Sequence, residues 1–360
     1  MKKAIPLLVA LALTAPLSGL AQVQEMSYIE RAKVIQVLSE SIRPIAGTDA
    51  SAEYQTLTAE VLEGSKKGEI VTVENDYLNL APGDQFYALR TVVDGADSYT
   101  VQEPYRLPTL QILGVLFLLT VVVFGGKQGI RGLLSLAASL IVIIFVLIPG
   151  VLAGYSPILL SVAVSSFIVI IGSYVTHGFN RTTSAAVVGM IATILITGAL
   201  AYWSVHSALL SGYSSDEVTY LFFNTGGSID LVGLLLGGIL IGLLGILYDA
   251  AIGQAIAIEE LKRAAAHYSS LDLYRRGLRI GREHIGALVN TLAIAYVGAS
   301  LPLLLLLRFS NMSLSSTLNR EIFASEIVRT AVGSIGLILA VPVTTLISVW
   351  MLRSRPNSET

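Results

Sequence analysis

From Leu110 to near the end of the chain, long apolar runs follow one another with short polar breaks between them. In hydrocarbon every backbone N–H and C=O must be satisfied within the protein, so such runs can cross a membrane only as helices, each of about 20 residues for a core of about 30 Å. The pattern predicts seven spans, at residues 110–124, 133–149, 156–176, 184–210, 231–252, 287–307 and 326–350, the first two short. Composition agrees. Charged residues are 13% of the chain, about half the roughly 25% of a soluble domain, too few to cover a surface facing water.

The placement of Lys and Arg sets the expected orientation. Alternate loops hold Lys127, Arg131, Arg181, Lys262, Arg263, Arg275, Arg276, Arg279, Arg282, Arg353 and Arg355, whereas the opposite side holds only Arg308, Arg320 and Arg329. Positive charge is retained on the cytoplasmic face, which predicts the amino end out and the carboxyl end in. The first residues agree: Met1-Lys2-Lys3, an apolar stretch from Ala4 to Leu17 and Gly19-Leu20-Ala21 have the order of a secretory signal peptide over residues 1–21, the alternative being an uncleaved first helix. Either way residues 22–108 are expected outside, with a helical domain at 109–350 and a cytoplasmic tail at 351–360.

That external segment reads as strands. Short runs at 31–38, 54–62, 69–73, 85–93 and 99–101 are separated by turn residues such as Gly64 to Gly68, Pro82-Gly83-Asp84 and Asp94-Gly95. Five short strands in so few residues predict a small OB-like β-barrel, because closure removes exposed sheet edges. Seven basic and fourteen acidic residues give the segment a charge of −7, which argues against nucleic acid as a partner.

Lipid tails are as apolar as leucine, so helices associate through close packing at small residues. Three stripes are expected to be helix–helix seams: Gly238, Gly242 and Gly245 in the fifth span, Ala185, Gly189, Thr193, Thr197 and Ala201 in the fourth, and Gly333, Gly336, Ala340, Thr344 and Ser348 in the seventh. The first stripe continues to Asp249, the one acidic residue well inside a predicted span. An intramembrane carboxylate must face protein or water. At a similar depth lie Asn290 and Thr291 of the sixth span and Thr344 and Thr345 of the seventh, where Pro342 is expected to kink the helix. These groups form the candidate site. They fit a cation or proton pathway, and they equally fit a hydrogen-bonded structural knot.

Other chemistry is missing. The chain has no cysteine, Gly125-Gly-Lys-Gln-Gly129 lacks the order of a phosphate loop, and no metalloprotease or serine-hydrolase motif occurs. No catalytic residue, metal or cofactor is expected, and the expected partners are the lipid bilayer with an envelope protein or a small-molecule or ionic substrate. Gly64 to Gly68, Gly83-Asp84, Tyr105-Arg106, Gly126-Lys127, Gly129-Ile-Arg-Gly132, Gly178-Phe-Asn180, Gly245-Ile-Leu-Tyr-Asp249, Asn290-Thr-Leu292 and Gly333-Ser-Ile-Gly336 together resemble the YibE/F-like family of bacterial membrane proteins. The resemblance implies a polytopic protein of the bacterial inner membrane with an external β segment and an Asp-bearing fifth span. It implies no settled activity. The functional expectation is a secondary transporter or permease; the alternative is a membrane scaffold or sensor whose β segment binds an envelope partner.

Overall fold

In a computed structural model, residues 26–45, 47, 51–76, 78–93, 96–265, 267–309 and 311–352 are described. The expected signal peptide and residues 353–360 of the expected tail lie outside them. The chain forms two compact units that part between Phe117 and Leu118.

The first unit is a closed five-stranded barrel. Strands β1 (Met26–Pro44), β2 (Ser51–Val61), β3 (Ile70–Asn75), β4 (Gln85–Val93) and β5 (Ala96–Pro104) are ordered β1-β2-β3-β5-β4, and β4 closes on β1. Alternation builds its core: Val34, Leu57, Ala59, Val61, Val73, Phe86 and Ala88 point inwards and are buried. One end of the interior is charged. Arg90, on the inward row of β4, pairs with Asp97 at 3.0 Å and with Glu30 at 3.6 Å, and the Asp97 bond pushes the guanidinium pKa further up. Gly64, at a φ of 97°, lies so close to Glu30 that a side chain there would displace it.

β1 is far longer than the expected run at 31–38. Its register against β2 shifts between Val34 and Gln36 and again between Val37 and Ser39, leaving Ile35 and Leu38 as bulge residues. Two bulges scramble the apolar alternation, and the polar stretch beyond them is strand only because it pairs with β2. Leu38 and Ile42 are exposed on this extension.

The helical part comprises α1 (Leu107–Val142), a π-helical turn at Ile143–Leu147, α2 (Ile148–Leu152), α3 (Pro157–His177), α4 (Arg181–Ser207), α5 (Asp216–Asn224), α6 (Leu231–Ala264), α7 (Ser270–Ala299), α8 (Leu301–Phe309), α9 (Leu314–Leu318) and α10 (Glu321–Met351). Among the described residues five segments are long and apolar enough to cross a membrane, or up to six when the bent pair α7–α8 is taken as one. This is a multi-pass membrane protein. The expected first and second spans both fall in the segment Leu107–Leu152, whose backbone breaks at Gly126 (φ 53°, ψ −137°). A straight helix would hold residues 121 and 129 about 12 Å apart, yet a Cβ on Gly129 would fall on the carbonyl oxygen of Val121. The chain therefore turns back sharply at Gly126.

The sixth span differs from expectation. Residues 287–307 are not one straight helix: α7 and α8 meet at 64°. Pro302 has no N–H for the carbonyl of Gly298, and Ser300 ends α7 instead. Towards its start α7 extends well before residue 287, because Ser269 and Asp272 form a capping box that begins the helix in the polar loop. The Ser269 hydroxyl, 2.5 Å from the carboxylate, holds the Asp272 pKa below its usual value. A depressed carboxylate pKa stabilises the folded turn at pH values above the unfolded pKa, and this contribution disappears as pH falls through the folded value. Protection of the amides in the first turn of α7, measured as exchange relative to the intrinsic rate at each pH, is expected to fall on acidification through that window, and Ser269→Ala should shrink the pH step.

The core of this unit is α4, α6 and α10 packed together with α3, through Met190, Leu243, Leu247 and Leu337. Two expected seams are present. Ala185, Gly189, Thr193, Thr197 and Ala201 of α4 are all buried, as are Gly333, Gly336, Ala340, Thr344 and Ser348 of α10. They mesh: a Cβ on Gly189 would stand 3.0 Å from the Thr344 Cα, and Gly336 abuts Thr197. α10 runs through Pro342 as one helix. The third row is covered only in part. Gly238, Gly242 and Gly245 are exposed, and only Gly242 has a neighbour within reach, the Tyr296 hydroxyl. The packed row of α6 is Gly233 and Gly237, which lie against Pro157 and Ser161 of α3. Gly237 and Gly238 are adjacent, about 100° apart around the axis, so two glycine rows run side by side and spacing alone does not say which one is covered.

Candidate functional site

α6 carries the site because its open glycine face continues to Asp249. Beyond Gly245 the face reaches Asp249 and then Gly253, which has nothing within 4 Å of a notional side chain. Asp249 lines two cavities. One, of about 240 Å³, lies between α6, α7 and α10 and also receives Gly253, Gln254, His284, Leu288 and Val341. The other, of about 510 Å³, lies between α6, α3 and the part of α1 after Gly126, with Ser135, Ser139, Thr176 and Tyr248 in its walls. Among the described residues the Asp249 carboxylate has no hydrogen-bond or ion-pair partner. Tyr248 beside it donates to the Gly172 carbonyl at 3.3 Å, and its ring stands 6.0 Å from that of His177.

The other expected site residues are dispersed. Thr345 is buried, and its hydroxyl donates to the Val341 carbonyl at 2.6 Å while accepting from Gln254 at 2.7 Å. It is tied to the smaller cavity only through Gln254. Thr344 is buried against Gly189 of α4, its hydroxyl without a partner among the described residues, and lines neither cavity. Asn290 and Thr291 are exposed on α7 and line neither cavity; the Thr291 hydroxyl donates to Ala287 of its own helix at 2.9 Å. The residues that α7 presents to Asp249's cavity are Ile280, His284 and Leu288, one every four residues. Asn290 comes two residues after Leu288, about 200° round the helix. Equal depth brought these residues to one level but not to one face.

Two groups at the site escaped sequence reasoning. Gln254 is buried and donates to the Gly277 carbonyl at 2.8 Å as well as to Thr345. The expected fifth span, 231–252, stops short of it, although Leu247, Ala251, Gln254 and Ile258 continue one helical face. His284 sits on the stripe with Ile280 and Leu288, legible only once the helix is known to begin at 270. Away from the site, the His206 ring lies against that of Tyr202 with ring centres 4.0 Å apart, and Glu326 pairs with Arg329 at 2.8 Å on one helix.

The sequence profile of the YibE/F-like protein family matches residues 113–354. The chain belongs to the YibE/F-like family. The matched stretch contains all the helices that pack around Asp249, so the site lies within the YibE/F-like region, while the barrel and its turn motifs precede it. No curated protein and no solved structure matches this YibE/F-like chain.

Proposed function

We propose that this YibE/F-like protein is a secondary transporter or permease in which Asp249 handles a cation or a proton. The observation that carries this reading is an unpaired carboxylate set on an open glycine face and shared by two cavities. A structural knot would be closed by hydrogen bonds, as Gln254 and Thr345 are; Asp249 is not. In this reading the halves of α1 on either side of Gly126 count as two crossings and α7–α8 as one bent crossing, giving seven. The amino end and the barrel lie outside the cytoplasm, behind a signal peptide, and the carboxyl end lies inside, in the bacterial inner membrane. With no ATP-binding motif in the chain, energy comes from an ion gradient or a separate subunit, and no catalytic step is assigned to the protein.

Reconstituted into vesicles and screened with protons, monovalent and divalent cations and small organic ions, the protein is expected to carry at least one of them. Asp249→Asn should cut that flux about tenfold or more, the loss of about 1.4 kcal/mol or more of transition-state stabilisation, with an unchanged melting temperature. Flux equal to that of empty vesicles, or equal in the variant, refutes the carrier. The alternative is a scaffold or sensor that binds an envelope partner through its barrel, and the exposed Leu38 and Ile42 on the β1–β2 extension favour it. That reading predicts loss of a co-purifying partner in Ile42→Asp and no effect of Asp249→Asn.

A further inference from the structure

The smaller cavity beside Asp249 says which ion such a site suits. We infer that the ion is the proton, and that His284 shares it with Asp249. This rests on the carrier reading above for its role in transport, but not for its chemistry.

Two titratable side chains line this cavity, Asp249 from α6 and His284 from α7, and the remaining walls include the aliphatic Ile280, Leu288 and Val341. Hard metal cations take six or more oxygen ligands. Here one carboxylate is available, and the Gln254 amide nitrogen is already committed to Gly277 and Thr345. Among the described residues no group of three or more acidic, His or Cys side chains could hold a metal. A proton needs only a donor and an acceptor. His284 Nδ1 lies 3.2 Å from the Ile280 carbonyl. An acceptor at that position fixes the neutral ring with its hydrogen on Nδ1, which leaves Nε2 as the open acceptor.

At about 240 Å³ the cavity has room for several waters, each occupying about 30 Å³, so the two groups need not touch. In the transfer, the O–H bond of protonated Asp249 breaks and an N–H bond forms at Nε2. Carboxylic acid and neutral imidazole become carboxylate and imidazolium, with water as the relay and no other reactant. The larger cavity on the other side of Asp249, with Ser135, Thr176 and Tyr248, gives the same carboxyl a second polar approach. Other charged groups on this part of α7, Arg279, Arg282 and Glu283, do not line the smaller cavity, and α10 contributes only Val341.

The test is nitrogen-15 NMR of the full-length protein in lipid nanodiscs, labelled at histidine, with the His284 signal assigned by its absence from His284→Gln. Two results are expected. Neutral His284 carries its hydrogen on Nδ1, and its protonation curve in Asp249→Asn is displaced from that of the unaltered protein by at least about a tenfold change in proton affinity, the interaction that makes two sites titrate as a coupled pair. The displacement must exceed that in Glu283→Gln, which removes a carboxylate outside the cavity. Should Asp249→Asn misfold, Asp249→Ala replaces it. Curves that coincide, a shift no larger than that of Glu283→Gln, or a hydrogen on Nε2 would each overturn the inference. Coincident curves beside a flux that still depends on Asp249 would retire the proton and keep the carrier. Displaced curves without any flux would do the reverse.

Discussion

Replacing Phe86 by alanine is expected to unfold the barrel. Phe86 is fully buried on β4, where its backbone position pairs with Ala32 of β1 and Pro104 of β5. Apart from Tyr99, the rest of the barrel core is made of Val, Leu and Ala, so the Phe86 ring fills a large share of the interior. Truncating such a ring costs about 3–5 kcal/mol, the lost transfer energy plus the cavity left behind. Whole domains are stable by only about 5–15 kcal/mol, and a small barrel lies towards the low end. Resistance to trypsin in increasing urea measures this directly, because Arg31, Lys33, Lys66, Lys67 and Arg90 all lie within the barrel unit. Cleavage at these sites should begin at far lower urea in the variant. Ile42→Ala serves as the comparison: Ile42 is 75% exposed, so its loss should change stability by no more than about 0.5 kcal/mol. Equal protease resistance in the two variants would show that the barrel core is not where the structure puts it.

The second large effect is expected at Gly129. Its Cα faces the carbonyl of Val121 across the reversal at Gly126, and a valine there would push its Cβ into that oxygen. Overpacking against side chains costs about 1–3 kcal/mol, since they can rotate away. A backbone carbonyl cannot, so Gly129→Val should exceed that range and prise the two halves of α1 apart. The chain contains no cysteine and two tryptophans, Trp203 on α4 and Trp350 on α10. A single cysteine introduced at Ser135 therefore gives an unambiguous accessibility readout, while tryptophan fluorescence reports on the helical unit. The expected result is increased labelling at position 135, which lines the larger cavity, together with a lower melting temperature. Labelling and melting unchanged from the parent protein would mean that the close approach at Gly126 does not exist.

Much of this architecture was legible in the chain because it depends on which residues leave water. Five strands followed from alternation between turn residues, and the seams of α4 and α10 followed from rows of small and hydroxyl-bearing residues that lipid does not accommodate. Where the reading failed, the missing quantity was rotation. Gly237 and Gly238 differ by one position, yet one is buried against Ser161 and the other is open. Depth alone puts Asn290 level with Asp249, but depth counts residues along an axis and is blind to the direction a side chain takes. β1 outran its expected end for a related reason: two bulges broke the period that would have revealed it.

Hydropathy along the chain was thus sufficient to establish a membrane protein with a small β unit before its helices, and to single out Asp249 as an acid needing protein or water around it. The tertiary structure alone decided that the glycine face bearing Asp249 stays open, that His284 and Gln254 are its neighbours in place of Asn290 and Thr291, and that Thr344 turns to α4. Burial is a property that each residue's transfer energy nearly dictates by itself. The azimuth of a helix is settled jointly by every neighbour that packs on it, and no single segment carries that information.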